Sequence, residues 1–315
     1  MITASQTKVP LPTALRHIFY QLLLAGVGCL PLVSCQTIQT QLPKPQTEES
    51  GTPTLAPTSQ PSPNPTGEVR ASSSGSSLLM VSFTDIANIP QAKTIQELGQ
   101  LGVFGDLPTG EFQPNQPITR AEFVRWLVLA QNAIVKGSVG SYENPESSMI
   151  RLAESGTATF PDVPVAHTDF KYIQGLLNTG FATGYQERYF RPDQFLTREE
   201  MAAIKVGVDY GQDLANTQRQ VKQDSRPQSA QLAALGASWG WSDYAKISPG
   251  YIPHLQSELR NPAQCLKRTY GRTLRFEPKT PVTRAEAAIC LSQVRANGVE
   301  RSSSQAVTRL TQTKP

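Results

Sequence analysis

Phe112-Gln-Pro114 followed by Thr119-Arg120-Ala121-Glu122 occurs in three versions along the chain. The second is Phe190-Arg-Pro192 with Thr197-Arg198-Glu199-Glu200, and the third is Phe276-Glu-Pro278 with Thr283-Arg284-Ala285-Glu286. In each the Thr lies seven residues after the Phe. A phrase repeated at fixed internal spacing reads as three copies of one supersecondary unit, each of which cannot bury its apolar face alone.

The chemistry of the phrase predicts a helix start. Thr at the N-cap accepts from the amide three residues on, and Glu at that position reaches back to the N-cap amide. Thr119, Glu122, Thr197, Glu200, Thr283 and Glu286 are therefore read as structural capping residues. Behind each Arg, the positions +3, +4, +6 and +10 are apolar: Phe123, Val124, Trp126 and Ala130; Met201, Ala202, Ile204 and Val208; Ala287, Ala288, Cys290 and Val294. That recurrence fits a helix burying one face. Trp126 lies on this stripe, so a core role is favoured for it. The Pro two residues after each Phe favours an extended or turning approach to the helix.

Upstream, Phe83-Thr-Asp85, Phe160-Pro-Asp162 and Trp241-Ser-Asp243 open the copies, 36, 37 and 42 residues before the Thr. Apolar-periodic segments follow, around Ile95 and Leu98, around Ile173 and Leu176, and around Ile252 and Leu255, the last interrupted by Asn261-Pro262. Gly-bearing loops then carry Tyr185, Tyr189 and Tyr270 in or near them, candidates for stacking on a ligand. The expected fold class is all-α, with three helix-loop-helix repeats packed as a pseudo-threefold domain across 78–295. The repeats fall at about 78–135, 156–210 and 239–295. Two insertions, near Lys136–Thr159 and Gly207–Ser238, are expected to loop outward, and 296–315 to form a flexible tail.

The ends of the 315-residue chain do not read as fold-forming. Residues 1–34 hold Lys8, Arg16, no acid and an interrupted apolar stretch from Ile18 to Val33, the pattern of a signal segment rather than a spanning helix. Leu32-Val33-Ser34-Cys35 follows at once. Small residues before a cysteine resemble the bacterial lipobox, which implies lipid attachment (palmitate among the acyl groups) at Cys35; ordinary cleavage near Ser34, leaving a free Cys35, is the alternative. Residues 35–77 form a disordered tether: from Gln36 to Ser77 there are seven Pro and no aromatic residue. Without residues 1–34 the formal charge falls from +4 to +2, and no Lys/Arg-rich run exists. Nucleic-acid binding driven by bulk charge is excluded on that basis.

These phrases resemble the S-layer homology family, and three such repeats would cover most of the chain beyond the tether. The resemblance rests on Phe83-Thr-Asp85, Phe160-Pro-Asp162 and the three Thr-Arg-x-Glu boxes. It implies non-covalent anchoring to cell-wall glycan: an anionic polysaccharide bearing pyruvate ketals, or a peptidoglycan-linked polymer. It also implies that Arg120, Arg198 and Arg284 contact the ligand. Glu199 replaces the usual Ala and places an extra acid beside Arg198, and the third copy departs most from the pattern. An Arg at the first turn of a helix, beside unpaired amides, suits a carboxylate. The bland alternative pairs each Arg with an aspartate of the aromatic-x-Asp motif and stitches copies together.

Cys265 and Cys290 both fall in the third copy, 25 positions apart, in a compartment that permits disulfides; a buried inert thiol fits Cys290 equally well. Catalysis finds little support, since only His167 and His254 remain beyond the leader, with no metal-ligand spacing and no phosphate-binding Gly loop. No cofactor and no metal are expected. The sequence is thus read as a monomeric, non-enzymatic envelope lipoprotein, held by lipid on Cys35 in an outer membrane and facing the periplasm. Its domain would grip wall glycan. A protein-interaction scaffold without glycan binding is the rival reading, and a hydrolase hidden in the insertions is a distant third.

Overall fold

The structure, a computed structural model, describes residues 78–107, 110–140, 144–180, 188–261 and 264–312. The leader, Cys35, the tether and Tyr185 lie outside the described residues. Among the described residues no helix is long and apolar enough to cross a membrane.

Helices dominate. In chain order they are α1 (Ala92–Gln100), α2 (Arg120–Ser138), α3 (Phe170–Asn178), α4 (Arg198–Gln223), α5 (Gln228–Trp239), α6 (Ile252–Arg260), α7 (Cys265–Tyr270) and α8 (Arg284–Leu291). Strands β1 (Gln293–Ala296) and β2 (Val299–Ser302) follow, and then α9 (Ser303–Gln312). The three boxes start α2, α4 and α8. Thr119 and Thr283 accept from the amides of Glu122 and Glu286 at 3.2 and 3.3 Å. Glu200 and Glu286 in turn accept from the amides of Thr197 and Thr283 at 2.8 and 2.9 Å.

Each aromatic-x-Asp motif has a definite task. The Asp85 carboxylate accepts from the amides of Phe112 and Gln113 at 2.9 and 2.6 Å. Asp162 does the same for Phe190 and Arg191, at 3.0 and 2.7 Å, and Asp243 for Phe276 and Glu277, at 2.9 and 2.8 Å. The middle residue of each Phe-x-Pro adopts positive φ: 58° at Gln113, 59° at Arg191 and 53° at Glu277. A left-handed residue turns the chain sharply, and the aspartate holds the two amides that this turn points inward. Burial opposes ionisation of Asp85, but the two amides outweigh it and hold its carboxyl below the usual range.

The three copies close on themselves through backbone. Ile118 N donates to Val282 O at 2.9 Å, Val282 N to Leu196 O at 2.8 Å, and Leu196 N to Ile118 O at 3.0 Å, a closed triangle of hydrogen bonds. The residues before the three N-caps thereby satisfy one another. Around them Phe112, Phe123, Trp126, Phe190, Leu196, Phe276 and Val282 are buried. Trp126 is fully buried against Phe104 and Phe112, at 4.5 and 5.9 Å between ring centroids, so the core role holds for it.

The all-α expectation fails at the C-terminal end, where β1 and β2 pair antiparallel, Gln293 opposite Ser302 and Ala296 opposite Val299. The reason is local. Asn297 and Gly298 take φ of 51° and 77°, the signature of a two-residue hairpin turn. Helix α8 stops at Leu291, so Val294, counted above as the last apolar position of a helix, is buried from a strand instead. The segment after Asn297 is not loose: it forms β2 and α9. Helix α9 lies so close to α2 that a Cβ on Gly137 would stand 2.9 Å from the Cβ of Ala306.

The insertions also differ from outward loops. Beyond Gly207 the chain continues as α4 to Gln223, with a kink at Tyr210 (φ −134°, ψ 29°), and then forms α5. After α2, Asn132 clamps the returning chain through two bonds to the backbone of Ile150, at 2.9 and 2.8 Å. The Sγ atoms of Cys265 and Cys290 are bonded, tying α7 to α8.

Candidate functional site

The boxes bring Arg120, Arg198 and Arg284 to equivalent points, the three seams between copies. Each seam is made first by backbone. The amides of Arg120 and Ala121 donate to Gln194 O and Pro192 O at 2.9 and 3.0 Å. Those of Arg198 and Glu199 donate to Thr280 O and Pro278 O, and those of Arg284 and Ala285 to Gln116 O and Pro114 O. The first amides of α2, α4 and α8, which sequence reasoning reserved for an anion, are thus used by carbonyls of the next copy.

The side chains cross the seams in the same rotational sense. Arg120 faces Glu200 at 3.8 Å, Arg198 faces Glu286 at 3.0 Å, and Arg284 faces Glu122 at 2.9 Å. Each arginine is therefore matched by the glutamate of the following box. Arg198 also donates to Phe276 O at 3.1 Å and Arg284 to Phe112 O at 3.3 Å, beside the left-handed turns. The third, Arg120, lies 5.0 Å from the centroid of the Phe190 ring. Aspartates were predicted as alternative partners because sequence shows charge but not direction. The missed signal was the glutamate of each box as ion-pair partner, a task that Glu200 and Glu286 combine with capping.

The arginines differ in access. The side chains of Arg120 and Arg284 are 7% and 10% exposed, that of Arg198 15%. Arg198 also lies over the Tyr270 ring at 4.3 Å from the centroid, and Glu277, 43% exposed, is 3.3 Å from it. Burial pushes the Tyr270 phenol up, with Glu286 adding to the effect. Glu199 does not join this group. Its carboxylate accepts from the amide and hydroxyl of Ser248 at 3.0 and 2.8 Å and pairs with Lys279. Tyr189 is exposed.

Beside the Arg198 seam, the third Phe-x-Pro loop forms a cleft of about 410 Å³ that includes Lys246, Arg275, Glu277 and Lys279. All three cations are exposed. Arg275 and Lys279 belong to the stretch 267–279, which holds five cations, and folding adds Lys246 from a different segment.

Comparison with known proteins agrees with this architecture. Residues 82–124 and 159–202 match the family model described as the S-layer homology domain. Two segments of the chain are thus similar to that domain. Each matched segment runs from an aromatic-x-Asp motif through its box. Domains of this family are in general cell-wall anchoring modules that bind secondary wall polymers, and the match points to the cell envelope. The chain is also similar to Cell surface glycoprotein 1 of Acetivibrio thermocellus, 33% identical over 125 residues. That similarity covers 39% of this chain and 5% of the relative.

Proposed function

We propose that this protein anchors itself non-covalently to an anionic cell-wall glycan, and that the box at Arg284 completes a third S-layer homology repeat. The observation that carries the reading is the family match over two segments. The cyclic backbone triangle supports extending it to the third copy, because Val282 occupies the same position as Ile118 and Leu196. The protein works without catalysis and as a monomer, its three seams being satisfied within one chain.

The glycan contact is assigned to the seam of Arg198 and the adjoining basic cleft. Arg198 has the most exposed side chain of the three, and Lys246 and Arg275, beside the Lys279–Glu199 pair, supply charge that an acidic sugar or a pyruvate ketal would meet. All three arginines reach the polymer only by displacing a glutamate; Arg120 and Arg284 are the more buried, so their contribution is weaker and their first effect is to hold the seams. Binding of several units of one chain compensates for weak single sites through effective concentration. The leader and Cys35 add a lipid at the other end, and 36–77 span the gap from an outer membrane to the wall.

The test is co-sedimentation with wall sacculi stripped of protein. Retention that survives stripping and is lost on acid extraction of the secondary polymer supports glycan binding. Retention that disappears when wall proteins are removed would transfer the function to a protein-interaction scaffold. Acyl labelling abolished by Cys35→Ser tests the lipid separately.

A further inference from the structure

The third copy carries an apolar side chain that the fold holds out into water. Leu274 is 77% exposed. It stands at the tip of a turn in which the Thr273 hydroxyl donates to Arg275 O at 2.8 Å and accepts from the Arg275 amide at 3.1 Å. The Leu274 carbonyl accepts twice from Ser242, from its amide at 2.8 Å and its hydroxyl at 2.9 Å. Gly271, which opens the turn, has φ 65° and ψ −151°, a conformation reserved for glycine. Fixing a loop in this way costs conformational entropy, and the exposed leucine returns none of it by burial.

Leu274 lines a cleft of about 530 Å³ together with Lys267, Arg272, Trp239 and Tyr270. Lys267 and Arg272 are exposed, and Trp239 is half-buried. Trp239, Trp241 and Phe276 form a stack beside the turn, with 4.6 and 4.3 Å between successive ring centroids. No acid lines this cleft, and from Gln264 to Phe276 the chain has four cations and no acid. Of those four, Arg268 turns inward to Cys290 O, and Arg275 lines the basic cleft beside the Arg198 seam.

Charge and polarity together choose the partner. A free anion or an acidic glycan would satisfy Lys267 and Arg272 but leave Leu274 in water. An apolar groove on another protein would cover Leu274 and strip the two cations of water. An anionic bilayer answers both demands: phosphates lie at the level of the headgroups and hydrocarbon just below them, and aromatic rings such as that of Trp239 settle at the same boundary.

We propose that the turn 271–275 docks the third copy onto an anionic phospholipid surface, Leu274 entering the acyl boundary while Lys267 and Arg272 meet phosphates. The inference goes beyond the wall-glycan reading and does not rest on it, since none of these three residues is assigned to the glycan. Trp239 reports the contact, because Trp126 and Trp241 are buried. The full chain, with Cys35→Ser so that no acyl group is attached, is mixed with vesicles of phosphatidylcholine alone or of phosphatidylcholine and phosphatidylglycerol in equal parts. The acyl chains carry bromine near the glycerol. Tryptophan fluorescence should be quenched by the mixed vesicles, with an apparent affinity about tenfold or more above that for phosphatidylcholine alone, and added salt should reverse it. Leu274→Ser, and separately Lys267→Ser with Arg272→Ser, should each lower that affinity about tenfold or more. All three positions are exposed, so the denaturation midpoint should not move, and retention on wall sacculi should be unchanged. No quenching by the mixed vesicles, equal quenching of parent and variants, or equal quenching by both lipid compositions overturns the proposal. A fluorescence response to polyglutamate but not to vesicles overturns it as well, in favour of an acidic protein partner.

Discussion

Arg284 reaches across 162 positions of sequence to place its Nη2 2.9 Å and its Nε 3.0 Å from one carboxylate oxygen of Glu122. The last box is thereby tied to the first, and the ring of copies closes. Burial pushes the Glu122 carboxyl up while Arg284 pulls it down, so the pair is a compromise between desolvation and attraction. Removing one partner exposes the whole cost of burying the other. Arg284→Ala is expected to lose about 3–5 kcal/mol at neutral pH, whereas Arg284→Met with Glu122→Leu should recover most of it. Urea denaturation of the singles and the double measures this; strictly additive losses would mean that the two side chains do not act as a pair.

The aspartates of the aromatic-x-Asp motifs should matter in proportion to their burial. Asp243 is buried and accepts from two amides; Asp85 does the same on a more exposed loop. Asp243→Ala is expected to cost about 3 kcal/mol, since each charge-assisted bond contributes about 1.5–3. Asp243→Asn should cost about half of that, and Asp85→Ala less than Asp243→Ala. Midpoints of chemical denaturation rank them, and equal effects at the two positions would contradict the burial argument.

The bond between Cys265 and Cys290 closes a 25-residue separation around α7 and α8. Constraining the unfolded chain over a loop of that size is worth about 3 kcal/mol. Comparison of denaturation with and without reductant should show a loss of that order, matched by Cys265→Ala with Cys290→Ala. An unchanged midpoint would mean that the neighbouring contacts carry the third copy alone.

Glu258 gives a pH signature. Burial pushes its carboxyl up to about 7, against the opposing Leu266 amide and the Lys205 charge. The folded state then keeps a proton that the unfolded chain releases near 4.5, so stability attributable to this group falls as pH rises from about 4.5 to 7. His254, pushed down to about 4 by burial, works in the opposite direction across part of the same window. The contrast with Glu258→Gln isolates the carboxyl. The variant's advantage should grow with pH by up to about 1.4 kcal/mol per unit, and a constant difference would refute the assignment.

Much of this architecture was legible in particular residues. Thr, Arg and Glu at fixed spacing announced three capped helices, and the apolar stripe placed Trp126 in the core. What one sequence could not supply was direction across space. The glutamates read only as caps also neutralise the arginines, and the helix-start amides thought available to an anion bond to carbonyls of the next copy. Elsewhere a local signal was passed over. Asn297-Gly298 between short alternating segments is strong hairpin chemistry, yet the polar composition that follows suggested a loose tail. The basic cleft was legible only in part: Arg275 and Lys279 share one cation-bearing stretch, but Lys246 joins them only on folding.

The most direct measurement is co-sedimentation of the protein with protein-free wall sacculi, comparing the natural sequence with Arg198→Gln and with Lys246→Ser plus Arg275→Ser. Lys246 and Arg275 are exposed, so the pair of substitutions should leave the denaturation midpoint unchanged. The account predicts that both variants lose about tenfold or more in retention at physiological salt, and that added salt weakens the natural protein in the same way. Full retention by both variants, with the folded state intact, would contradict it.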